Sequence, residues 1–172
     1  MSLSAPANVA ASTVELEITG DEATNAGLAD LLQRAADLTW TMAGDGGPAS
    51  ISVALMDDRA ITALNAEFRG KDKPTDVLSF PADDDGLPGL DGGFLGDIAL
   101  ALPFVRAEAA IEEKHFEDHL VHLFVHGVLH LIGHDHEEPA EAQEMEEFET
   151  RIVACMGIAD PYAGRALDIR ET

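Results

Sequence analysis

The sequence predicts an α+β domain, a small mixed β-sheet of about four strands with five or so helices packed on it. Three observations point there. Short alternating β-branched runs, separated by stretches of helical period, fill the chain up to residue 102. From Pro103 onward the helical period stands alone. No repeat and no linker divides the 172 residues, a length that suits one core, so a single domain over 1–172 is expected, with 1–12 as a flexible N-terminus.

The elements follow in order. "TVELEIT" alternates and is β-branched, which predicts a strand. Residues 22–43 carry Leu28, Leu31, Leu32, Ala35 and Leu38 at helical spacing, and Gly44 ends the run. "SISVALM" predicts a second strand. Asp57 or Asp58 is placed to cap the helix "RAITALNAEF", which stops at Gly70. "KDKPT" is a turn, with Pro74 holding Lys73 extended. "DVLSFP" and "GDIALAL" predict the third and fourth strands, joined by the acidic, Gly-rich "DDDGLPGLDGG" as a long hairpin connection. That segment lacks the spacing and the later Glu of a calcium loop. Pro103 opens a helix to about Lys114, a second runs from Asp118 to Ile132, and a third from Pro139 to about Met156.

The formal net charge is −23, which argues against a generic nucleic-acid binder and against anionic membranes. Arg59, Arg69, Lys71, Lys73, Arg106 and Lys114 nevertheless cluster in the middle third. Two arrangements stay open, a local basic groove on an acidic body or scattered solvated charge. The single cysteine, Cys155, excludes an internal disulfide and is expected in the core. "HLVHLFVHGVLHLIGH" is too short and too rich in histidine for a membrane span and predicts a buried helix. With no convincing signal peptide, the expected location is cytoplasmic.

The chemistry concentrates in "HGVLHLIGHDHEE". His126 and His130 are four residues apart and share a helix face one turn apart, the two-ligand spacing for zinc. Gly133 can adopt positive φ and end the helix, so that the returning chain supplies His136 as a third ligand. His134 fits less well, being too far along a continuous helix from His126. Three protein ligands leave one coordination position open, the catalytic rather than the structural arrangement. The spacing H-x-x-x-H-x-x-G-x-x-H is that of metzincin peptidases, but Gly127 stands where their general-base Glu would be. His119 and His122 fall on the same helical stripe as His126, as groups that orient a ligand, as substrate contacts, or as packed, hydrogen-bonded histidines. His115 is expected on the surface.

The stretch "HGVLHLIGHDH" resembles the H-G-x-L-H-L-x-G-Y-D-H signature of the YbeY family of bacterial rRNA maturation factors, which are single-strand-specific metallo-endoribonucleases. "LNAEFRGKDKPTDVLSF" is similar to that family's N-x-x-[FY]-R-x-K-D-x-P-T-[DN]-V-L-S-F segment, and "LGDIAL" to its L-G-D-I strand. The resemblance spans residues 64–136 in family order. It implies an α+β fold, one Zn²⁺ per chain on His126, His130 and His136, and a catalytic Arg69. It also implies action in 16S rRNA 3′-end maturation and ribosome quality control. His134 departs from the family pattern, standing where Tyr is usual.

Within that reading Arg69 suits a planar contact with phosphate oxygens, although the residue type also fits a cation at a helix C-terminus. Lys71 and Lys73 are placed to guide an RNA backbone. Asp135 and Asp97 are candidates to orient a ligand imidazole, or else a cap and a turn residue. The acidic body implies weak intrinsic RNA affinity, so the rRNA is expected to be delivered by a ribosomal or assembly protein. The competing classes are a metallopeptidase, which Gly127 opposes, and a zinc-stabilised, non-catalytic ribosome-assembly adaptor, which the open coordination position opposes.

Overall fold

A computed structural model describes residues 14–82 and 93–163. The expected flexible N-terminus and all but the last residue of the acidic 83–93 segment lie outside them. Within them the order is β1 (Val14–Gly20), α1 (Ala26–Ala43), β2 (Ala49–Met56), α2 (Asp58–Arg69), β3 (Val77–Pro81), β4 (Phe94–Ala101), α3 (Leu102–Ile111), α4 (Phe116–Ile132) and α5 (Pro139–Ala154). This is the α+β architecture read from the sequence, with strand order β1-β2-β4-β3. β1 and β4 both run parallel to β2, and β3 joins β4 antiparallel at the edge.

Strand parity divides the sheet into two faces. Ile51, Val53 and Leu55 of β2, with Ile98 and Leu100 of β4, enter the main core beneath α1, α4 and α5. Leu78, Ala99 and Ala101 alternate to the other face and pack on Ile61 and Leu64 of α2. Helix α4 is the centre of the molecule. Its Leu120, Val121, Phe124, Val125, Val128 and Leu129 are all buried, which explains its nearly uncharged sequence.

Several helix ends follow the residues expected of them. The Asp57 side chain accepts the Ala60 amide at the start of α2. Gly70 and Gly133 end α2 and α4 in the left-handed region, at φ 72° and 115°. Helix α1 starts later than the residue-22 boundary read from its periodicity. Glu22 itself sits at φ 61°, a turn conformation, and the Asn25 side chain caps the Leu28 amide instead. Cys155 corrects a second expectation. It is exposed, one residue past α5, because it falls off the buried stripe of Met145, Ile152 and Val153.

Candidate functional site

The site is built on the last turns of α4 and the reversal after it. Gly133 donates its amide to the His130 carbonyl, and His134 donates its amide to that of Leu129, so the chain folds back on the helix. The Asp135 carboxylate then accepts the His136 amide at 2.6 Å. This turn carries the His136 ring to 5.0 Å from that of His130, and to a stacked position 5.6 Å from that of His126. The Nε2 atoms of His126 and His130 lie 3.2 Å apart. All three imidazoles offer donor atoms within 4.8 Å of one another, the geometry of a metal-binding group. Burial and the neighbouring His126 and His136 rings depress the His130 pKa, with Asp135 a weaker opposing influence. His130 is therefore held in the neutral form that a metal needs.

The triad opens into a cleft of about 730 Å³, whose walls include Arg69, Asp76, Ser79, His122, Asp135 and Tyr162. Arg69 leaves the end of α2 and donates from its guanidinium to the Ser79 carbonyl at 3.0 Å, with its guanidinium carbon 5.4 Å from the Phe80 ring centre. The edge strand β3 thus anchors the one Arg or Lys of the cleft wall among the described residues. Lys71 and Lys73 are exposed on the loop between α2 and β3 and do not line the cleft. Arg106 pairs with Glu22 and Lys114 with Glu112, so the basic residues do not gather into one groove.

Gly127 turns out to be a packing position. A Cβ there would stand 3.0 Å from Ser79 Oγ and 3.3 Å from Ile98 Cδ1. The position after His126 therefore packs against Ser79 of the cleft wall and Ile98 of the sheet. Ser79 Oγ donates to the Gly127 carbonyl across this close approach.

The remaining expected contributors are sorted by the fold. Asp97 is placed apart from the three imidazoles. It pairs in register with Phe80 and lines a groove on the opposite face of the sheet. Asp135 acts on the backbone of the turn, through the His136 amide. His119 is buried and bonds Glu108 at 2.9 Å, apart from the triad. Glu108, Glu112 and His119 form a second group with donor atoms within 4.8 Å, but Lys114 already occupies Glu112 and His119 occupies Glu108. His134 packs edge-on against Phe148, 5.1 Å away on α5, which removes it from the triad. His115 is exposed, as expected.

His122 joins the site through a residue that sequence reasoning missed. Glu149 of α5 is wholly buried, with one carboxylate oxygen 2.6 Å from His126 Nδ1 and the other 2.8 Å from His122 Nε2. The Tyr162 hydroxyl bonds the same carboxylate. Burial alone would raise the Glu149 pKa, but the hydrogen bonds from His122 and His126, the electrostatic influence of His126 and the bond from Tyr162 outweigh it and hold it at about 2. A signal for Glu149 was present. It lies on the apolar stripe of α5 with Met145, Ile152 and Val153, an odd place for a carboxylate.

Residues 14–157 match the family model described as Endoribonuclease YbeY. The chain belongs to the endoribonuclease YbeY family. A protein named Endoribonuclease YbeY from Chelativorans sp. is 52% identical over 147 residues, covering 84% of this chain and 89% of the relative. Another of the same name, from Rhodopseudomonas palustris, is 56% identical over 126 residues, covering 70% of this chain and 64% of the relative. The solution structure of TM1509 from Thermotoga maritima matches with a TM-score of 0.58 at 28% identity, covering 91% of this chain and 95% of that one. The His126-to-His136 stretch and the Arg69 segment both fall inside the residues matched to the YbeY family.

Proposed function

We propose that this chain is a zinc-dependent, single-strand-specific endoribonuclease that acts in 16S rRNA 3′-end maturation and ribosome quality control. The observation that carries the reading is the convergence of His126, His130 and His136 on one point of a cleft that Arg69 also lines. The residues suit the metal. Two nitrogens bound to tetrahedral zinc lie about 3.4 Å apart, given Zn–N distances of roughly 2.0–2.1 Å. The Nε2 atoms of His126 and His130 are 3.2 Å apart. His126, His130 and His136 would hold one Zn²⁺, with a further coordination position open. Bound zinc supplies Lewis acidity at that position, next to where a phosphodiester would lie.

The chain's own residues do the rest. Asp135 holds the turn that presents His136. The Arg69 guanidinium, steadied by the Ser79 carbonyl, is the positive group in the cleft wall for phosphate oxygens as charge builds on them. Lys71 and Lys73 on the neighbouring loop extend that positive character along the path of an RNA backbone. Asp76, Asp135 and Glu137 also line the cleft. Such walls repel a nucleic acid held by charge alone, which supports delivery of the rRNA by a ribosomal or assembly protein in the cytoplasm. Among the described residues, no helix is long and apolar enough to cross a membrane. A peptidase reading finds no base at position 127, because glycine carries no side chain there.

The test uses purified, metal-analysed protein on single-stranded RNA carrying the 16S 3′ end, with a duplex of the same sequence as control. Zinc-dependent cleavage of the single strand alone, lost in His130→Ala together with the zinc, is expected. Peptide cleavage without RNA cleavage, or RNA cleavage indifferent to chelation, would overturn the proposal.

A further inference from the structure

We infer that Glu149 is the positioning residue of the triad, fixing the protonation pattern of His126 from behind and coupling it to His122 and Tyr162. The inference rests on the metal-triad reading above. Glu149 reaches the site from α5, across the core from β3, and its side chain has no exposed surface.

An ionised carboxylate accepts hydrogen bonds and donates none. Glu149 has three neighbours at hydrogen-bonding distance, namely His126 Nδ1, His122 Nε2 and the Tyr162 hydroxyl. Each must therefore donate. For His126 this places the proton on Nδ1 and leaves Nε2 as a bare lone pair. That nitrogen is the one 3.2 Å from His130 Nε2, at the centre where the rings converge. A metal-binding imidazole commonly gives its other N–H to a carboxylate, which fixes the tautomer and ring orientation and raises ligand basicity. For His122 the same rule puts the proton on Nε2. Its Nδ1 is buried with no hydrogen-bond partner among the described residues, so it can carry no proton without leaving a donor unsatisfied. His122 therefore serves as a brace for Glu149.

Tyr162 completes the device. Its ring meets that of His122 edge-on at 5.3 Å, and its backbone amide is tied to Asp160 at 2.8 Å. Tyr162 also lines the cleft. The segment after α5 is thereby fastened to the carboxylate that orients a triad member.

Replacing Glu149 by Gln keeps the shape and changes the bonding. The amide of Gln brings donors of its own, so at least one of the three neighbours must accept. If His126 Nδ1 accepts, its proton moves to Nε2, which then cannot bind a metal.

The experiment measures the histidine tautomers of the metal-free full chain by long-range ¹H–¹⁵N correlation NMR, and zinc affinity by competition with a chromophoric chelator. The wild-type His126 is expected as the Nδ1–H form. In Glu149→Gln the Nε2–H form is expected to appear, with zinc bound about 10–100-fold more weakly. Tyr162→Phe, which removes one donor and leaves the His126 bond, is expected to keep the Nδ1–H form. A wild-type His126 in the Nε2–H form, or a Glu149→Gln protein with unchanged tautomer and zinc affinity, overturns the inference. Should Glu149→Gln not fold, the wild-type tautomer decides alone. Should wild type bind no zinc, the metal reading fails, while the tautomer still decides the place of Glu149.

Discussion

Replacing Gly127 by Ala isolates the close approach of α4 to the sheet. Alanine is the better helix former by about 1 kcal/mol, so on propensity alone the variant should be more stable. The added Cβ would meet Ser79 Oγ at 3.0 Å and Ile98 Cδ1 at 3.3 Å, with Ile98 Cγ2 at 3.5 Å. The first two are shorter than the roughly 3.5–4.0 Å of an optimal carbon contact. Ile98 is buried at 1% exposure in the middle of β4, and its neighbours hold it in place. Overpacking of this kind costs about 1–3 kcal/mol. Moving Ser79 also strains its 3.3 Å bond to the Gly127 carbonyl, worth about 1 kcal/mol when made well. The loss of this bond roughly cancels the propensity gain, so a net destabilisation of about 1–3 kcal/mol remains. For a domain of this size that lowers Tm by roughly 2–12 °C. Calorimetry and urea unfolding of the two proteins, each with its zinc content measured, are the assay. Zinc stoichiometry should not change, because the atoms nearest the added Cβ belong to Ser79 and Ile98 and not to a triad imidazole. A variant with Tm raised by the propensity gain would refute the packing account of Gly127, and the missing peptidase Glu would again need its own explanation.

Arg69→Ala should lower kcat for single-stranded RNA about 10²–10³-fold with zinc retained, the usual loss for one well-placed charge-stabilising donor; an unchanged kcat would remove Arg69 from the chemistry. His130→Ala should release the zinc and abolish cleavage, checked by metal analysis beside the RNA assay, and full activity in a zinc-free variant would contradict it. Glu108→Gln should raise Tm at pH 7. Burial, opposed by the His119 hydrogen bond and reinforced by Asp76, raises the Glu108 pKa above its ordinary 4.5. The folded state then binds the proton more tightly than the unfolded one, so Glu108 favours folding when protonated and loses that contribution as pH rises through the folded pKa. The Tm gap between variant and wild type should therefore close as the pH falls below about 4.5, and a gap that persists in acid would refute the assignment. RNA affinity of the isolated protein should fall steeply with salt, with a slope that flattens in Lys71→Ala and Lys73→Ala if those side chains meet phosphate.

The helix, turn and ligand spacing were legible in the chain because they are short-range. Two histidines one turn apart, a glycine at the end of the helix and a third histidine after it fall within residues 126–136, and local geometry alone brings them together. The ends of α2 and α4 at Gly70 and Gly133 were readable for the same reason. Asp97 was not. Alternation along β4 separates Asp97 from Ile98, but this sheet carries helices on both faces, and parity does not say which face holds the site. Glu149 was hidden differently. It sits in the acidic run "EEPAEAQEMEEFE", and only the packing of α5 against α4 distinguishes it from its solvated neighbours by burying it against His122 and His126.

The local order of residues thus settled the fold class and brought the three imidazoles together. Long-range packing settled what stands behind them. It set Glu149 under His126, drew His134 away to Phe148 and closed the sheet onto Gly127. A contact between residues four to ten apart follows from helix and turn geometry. A contact between residues 23 or 48 apart, as for Glu149 with His126 and Ser79 with Gly127, depends on which faces the whole core brings into register.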